Sequence, residues 1–120
     1  MAARLLLIWI IAASPTVAFA GCQHPPIPWI FGSSISSTWR ITEGSSCGST
    51  SNHPEHIAKI EIEARPKNGV AGKSGPSVVA YKPNPGFKGS DSFSYAVTSN
   101  ANFRGGAGLV AHVTVHVISE

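Results

Sequence analysis

The chain has 120 residues, of which only 12% are charged, and nine basic against six acidic side chains give a formal net charge of +3. That balance is too weak and too scattered along the chain for a nucleic-acid surface. A single aspartate and five glutamates leave no acidic cluster.

Met1-Ala-Ala-Arg4 carries one positive charge, Leu5 to Ala13 is a continuous apolar run, and Ser14-Pro15 breaks it. Ala18-Phe19-Ala20 then places small residues at the two positions a signal peptidase reads. The pattern predicts a cleaved secretory signal peptide over residues 1–20, with an apolar core of about ten residues that is too short to span a bilayer. No second long apolar run follows, so the expectation is an exported protein, secreted or periplasmic, without a membrane span. About 100 residues remain from Gly21, enough for one small domain with a modest core.

Cys22 and Cys47 are the two cysteines, and an even count in an exported domain predicts one disulfide. A second reading stays open at the same residue. Phe19-Ala20-Gly21-Cys22 is similar to a bacterial lipobox, which would make Cys22 an acylated lipid anchor and the protein an outer-membrane lipoprotein.

Residues 21–36, with the stretch HPPIPWIFG, predict an extended N-terminal segment. Residues 37–120 then read as the folded domain. Ser37 to Thr42 predicts a short strand with Trp39 turned inward, and Glu43 to Pro54 a loop of Gly, Ser, Asn and Thr. From Ala58 to Arg65 the apolar residues fall at 58, 60, 62 and 64 and the charged ones at 59, 61, 63 and 65, the period of a strand with one dry face. Lys67-Asn68-Gly69 marks a turn. Further strands are expected at Ser77–Tyr81, Asp91–Thr98 and Gly108–Ile118, the last with Leu109, Ala111, Val113, Val115 and Val117 on one face. No segment after residue 20 carries a helical period. Short strands with Gly/Pro/Asn turns predict an all-β fold, an antiparallel immunoglobulin-like β-sandwich.

Between Tyr81 and Val97 the chain reads YKPNPGFKGSDSFSYAV. Pro83 and Pro85 donate no ladder hydrogen bonds, so Lys82 to Ser90 is expected to be a connection, with Gly86 and Gly89 supplying the tight corner. Phe93, Tyr95 and Val97 alternate into the core. In immunoglobulin-like sandwiches a tyrosine on the penultimate strand ties its hydroxyl back to the preceding corner, and Tyr95 has the matching spacing. Asp91 would accept turn N–H groups at the mouth of that corner.

These residues carry a resemblance. Lys67-Asn68-Gly69, then Tyr81, Pro83, Asn84, Gly86, Phe87, Gly89, Asp91, Ser92, Phe93, Tyr95 and Val97, then Val113 to Val117, resemble the bacterial immunoglobulin-like and cadherin-like repeats of large surface adhesins. The resemblance covers roughly residues 56–118 and implies a corner with a structural role and a module that binds or spaces at the cell surface. It differs in being a single copy behind its own export signal. Such repeats often hold calcium through further acidic residues after this strand, where the chain has Thr98-Ser99-Asn100. Calcium takes six to eight oxygen ligands, so no calcium is carried over.

Several other motifs bear on chemistry. Gly44 to Gly48 matches G-x-S-x-G without the α/β context of a nucleophile elbow. Gly69 to Ser74 lacks the spacing of a phosphate loop. His53 and His56, with His112 and His116 on the last strand, are candidate imidazole ligands. His112 and His116 stand about 13 Å apart along the strand, too far to share one metal. The Ser99–Gly106 loop, with Asn100, Asn102, Phe103 and Arg104, is the candidate binding loop, since aromatic and arginine side chains dominate binding hot spots. The expected function is an exported module with no catalysis and no cofactor, structural or adhesive at the bacterial envelope, with an unidentified protein or surface glycan as partner. The alternative is a periplasmic metal-binding protein using surface histidines.

Overall fold

The computed structural model describes residues 21–51 and 53–119; the predicted signal peptide lies outside the described residues. Eight strands follow in order: β1 (Cys22–Gln23), β2 (Ser34–Thr42), β3 (Cys47–Thr50), β4 (Ile57–Ala64), β5 (Gly69–Lys73), β6 (Val78–Pro83), β7 (Gly89–Ser99) and β8 (Gly108–Ile118). The helical content is a 3₁₀ turn at Pro54–His56 and a single α-turn, α1 (Ala101–Arg104). No described helix is long and apolar enough to cross a membrane.

The strands form two sheets, one in the order β1-β2-β8-β7-β4 and one in the order β3-β6-β5. Alternation builds the core between them. On β7 and β8, Phe93, Tyr95 and Val97 pair across the ladder with Val113, Ala111 and Leu109, and all six are buried. Trp39 and Ile41 of β2 continue this surface opposite Val115 and Val117. The second sheet answers with Cys47, Val79 and Tyr81, so one cluster is shared by both sheets.

Three expectations change. The sheet is not wholly antiparallel: β2 runs parallel to β8 from Ser34↔Val110 to Thr42↔Ile118. A parallel pair needs a long connection, and here the chain from β3 to β7 supplies it. Next, β4 has one buried apolar residue, Ile60, with Ile62 half-buried and Ala58 and Ala64 exposed. It is an edge strand whose register to β7 shifts at Ile57/Lys59 and again at Ile62/Ala64, so its dry face meets the core only in the middle. Its outward charges, including a Lys59–Glu61 pair at 3.6 Å, blunt the open edge rather than stabilise the fold. Lastly, Cys47–Thr50, expected within a loop, and Gly69–Lys73, where no strand was expected after the turn ending at Gly69, are strands flanking β6. Pro83 accordingly closes β6 opposite Gly69, and Gly89 and Ser90 open β7, where a connection over Lys82 to Ser90 was expected.

The N-terminal segment is part of the fold. β1 pairs with β2, and Cys22 bonds to Cys47 with the Cα atoms 5.1 Å apart, which ties the first sheet to the second. The sulfur that a lipobox would acylate is engaged in this bridge. After it, His24 stacks on Trp39 with ring centroids 4.9 Å apart and places Nε2 2.7 Å from the Gly48 carbonyl. Trp29 then touches both sheets, donating to Ser49 Oγ at 3.2 Å and packing against Tyr95.

Candidate functional site

The Tyr81–Val97 stretch folds as a corner around Asp91. The carboxylate is buried at 8% exposure and takes four hydrogen bonds. Oδ1 accepts from the N–H groups of Lys67 at 3.0 Å and Ser92 at 2.8 Å. Oδ2 accepts from the Asn68 N–H at 2.9 Å and the Tyr81 hydroxyl at 2.9 Å. Burial works to raise the carboxyl pKa, but the three backbone donors and the tyrosine together hold it below its ordinary value. Burial, reinforced by the adjacent carboxylate, pushes the Tyr81 phenol well above its usual range. Gly69 is required beside this site, since a Cβ there would lie 2.6 Å from the Lys82 carbonyl and 2.7 Å from the Tyr81 ring. Phe87, half-buried, packs on the core after a turn closed by its N–H on the Asn84 carbonyl at 3.0 Å. Gly86 and Gly89 have φ of +81° and +131°, left-handed values that favour glycine.

The tyrosine of this corner is Tyr81, not Tyr95. The Tyr95 hydroxyl is buried toward Ser49, whose Oγ already accepts from Trp29, and no hydrogen bond of normal geometry closes. Burial raises the Tyr95 phenol pKa, with Ser49 opposing. Both rings point inward from their strands, and the choice between them follows from which sheet faces Asp91. The ring of Phe93 lies between them, nearly parallel to Tyr81 at 5.6 Å.

Elsewhere in the fold, two groups of candidates that are separate in the sequence meet. Antiparallel pairing sets Ile57, the first residue of β4, against Ser99, the last of β7. The turn before β4 and the loop after β7 are therefore neighbours. The Asn100 N–H donates to the His56 carbonyl at 2.8 Å, and the Asn100 side-chain amide donates to the Glu55 carbonyl. Phe103 lies flat on His56, centroids 3.6 Å apart and planes 7° apart, and meets Phe31 edge-on at 6.1 Å. It remains 43% exposed, a stacked ring with one open edge rather than a buried plug. The guanidinium of Arg104 is 5.2 Å from the Phe103 centroid, and Asn102 is exposed. Gly105, at φ +63°, ends α1 in the left-handed conformation.

These rings wall an open cavity of about 400 Å³. Phe103 and His56 come from the loops just described, Trp29 and Phe31 from the N-terminal segment, and Thr50, Ser51 and His53 from the end of β3 and the stretch beyond it. Nothing in the sequence marks Trp29 and Phe31 as site residues. A Pro-rich segment gives no local sign of which loop it lies against. His112 and His116 are elsewhere, on β8, with Ser90 Oγ 3.1 Å from His116 Nδ1 across the ladder.

No family model matches the chain, and no curated protein matches it. Two solved structures are similar in part. One is an endo-fucoidan hydrolase of glycoside hydrolase family 107, at 14% identity and a TM-score of 0.42, over 69% of this chain but 13% of that one. The other is a cysteine protease inhibitor from Entamoeba histolytica, at 13% identity and a TM-score of 0.29, over 71% of this chain and 98% of that one.

Proposed function

We propose that this chain is an exported, non-catalytic immunoglobulin-like module, structural or adhesive at the bacterial envelope, that holds its partner at the end of the sandwich where Phe103, His56, Phe31 and Trp29 meet. The observation that carries the reading is the aromatic-walled cavity assembled there from three separate segments. Aromatic rings with polar tips offer large contact area at low entropic cost and dominate binding hot spots. The disulfide fits an oxidising compartment. A core shared by two β-sheets supports the sandwich part of the immunoglobulin-like reading.

Asp91 and the Ser90–His116 pair argue for the non-catalytic reading. That pair is a cross-strand contact on the outer face, while Asp91 turns to the opposite face and is taken up by four donors. Among the described residues no carboxylate lies within ion-pair reach of that imidazole, as the orienting partner of an activated serine would.

The test is a screen of surface glycans and envelope proteins against the native chain and the Phe103→Ser variant. Phe103 is partly exposed but packs on His56 and Phe31, so the variant should lose about 1–2 kcal/mol of stability and remain folded, which its unfolding curve checks. The expected result is at least a tenfold loss of partner affinity. Equal binding by both proteins, or a partner footprint at the Asp91 corner instead, refutes the placement.

A further inference from the structure

The turn before β4 reads His53-Pro54-Glu55-His56 and closes as a 3₁₀ turn, with the His56 N–H donating to the His53 carbonyl at 3.0 Å. In 3₁₀ geometry side chains three residues apart eclipse. The imidazoles of His53 and His56 accordingly stack, centroids 4.8 Å apart and planes at 18°. Glu55 reaches back between them: its Oε2 is 3.2 Å from His53 Nδ1 and 3.7 Å from His56 Nε2. All three donor atoms lie within 4.8 Å of one another.

Those separations suit a metal ion. Bonds of about 2.0–2.1 Å in a tetrahedral zinc shell place neighbouring ligand atoms about 3.4 Å apart. The two contacts to the glutamate bracket that edge. The third edge, imidazole to imidazole, closes by rotating His53, whose side chain is 64% exposed. His56 is the fixed member of the pair, because Phe103 stacks on its ring and the Asn100 N–H donates to its carbonyl.

We propose that His53, Glu55 and His56 form a three-ligand site for a borderline divalent transition metal, namely zinc, copper(II) or nickel, with the remaining coordination open to water or to a donor from outside the chain. Two imidazoles and one carboxylate suit these ions, whereas calcium and magnesium require oxygen-rich shells. The other described grouping of metal-ligand types, Cys22, His24 and Cys47, is closed. Its sulfurs form the disulfide, and both His24 nitrogens face carbonyls, those of Pro25 and Gly48. The metal site does not depend on the partner-binding reading, although His53 and His56 also line that cavity.

The experiment is a zinc titration of the untagged, disulfide-bonded protein, followed by calorimetry and by NMR of the histidine rings. One-to-one saturable binding is expected, with the His53 and His56 resonances shifting and those of His24, His112 and His116 unmoved. Binding should weaken as the pH falls, because an imidazole must shed its proton to ligate. His53→Ala and Glu55→Gln, both at exposed positions, should each lower affinity at least tenfold with the far-UV spectrum unchanged, and His112→Ala should leave affinity intact. Absence of saturable binding at millimolar zinc overturns the proposal. Unchanged affinity in the His53→Ala/Glu55→Gln double variant, or shifts centred on His112 or His116, would do the same.

Discussion

Replacing Asp91 by Asn changes almost no volume but removes a charge and half of the acceptor capacity at the corner. The carboxylate serves two donors at each oxygen. With the amide oxygen kept toward Lys67 and Ser92, the amide nitrogen faces the Asn68 N–H and the Tyr81 hydroxyl. The hydroxyl can rotate to accept, but the Asn68 N–H cannot, and a buried donor left unpaired costs about 1–3 kcal/mol. The two surviving bonds also pass from charge-assisted to neutral, a further loss of about 1 kcal/mol. The expected total is about 2–4 kcal/mol, which lowers the thermal midpoint of a domain this size by at least roughly 8 °C. Urea unfolding at neutral pH, followed by tryptophan fluorescence with the disulfide intact, measures it. Titration supplies a second arm. The folded-state pKa of Asp91 is depressed, so its contribution is complete above the unfolded value, about 3.9. It is then lost as the pH falls through the folded value. The gap between the native protein and Asp91→Asn should therefore be full at pH 7, begin to shrink near pH 4 and close only below the depressed folded value. Coincident unfolding curves at pH 7, or a gap that persists below that value, would refute the corner as described.

The two buried tyrosines should respond in opposite ways. Tyr81→Phe loses the hydroxyl on Asp91 and should cost about 1–2 kcal/mol, whereas Tyr95→Phe removes an unpartnered hydroxyl and should be neutral or stabilising by up to about 1 kcal/mol. Paired urea midpoints decide between them, and a larger loss at Tyr95 would reverse the assignment. Cys47→Ser opens a loop with a sequence separation of 25 between the sheets. Its expected cost is about 3.5 kcal/mol in the chain-entropy model, read as a lower denaturant midpoint that matches that of the reduced native protein.

Where structure follows from neighbours in sequence, it was legible. Gly108–Ile118 alternates over its whole length and forms β8 over those residues, and Phe93, Tyr95 and Val97 turn inward as their spacing requires. The even cysteine count and the Cys22–Cys47 bridge agree. What failed was of another kind. Cys47-Gly-Ser-Thr50 and Gly69-Val-Ala-Gly-Lys73 have little apolar alternation, and they are extended because β6 offers hydrogen-bond partners on both its edges. Ala58 and Ala64 carry the correct period, yet they stay exposed at the frayed ends of an edge strand.

The candidate site divides in the same way. That His53, His56 and Phe103 were worth attention could be read from residue type and loop position. That they form one stack follows from the Ile57↔Ser99 register, a contact between segments more than forty residues apart. Alternation and turn chemistry are local properties, so a β-rich domain, most of its inward faces and its Asp91 turn could be read from the sequence. Which tyrosine reaches Asp91, why β2 lies parallel to β8, and which loops share one end of the molecule depend on how two sheets pack. Those contacts join residues with no common local pattern, so they emerge only when the two sheets are brought together.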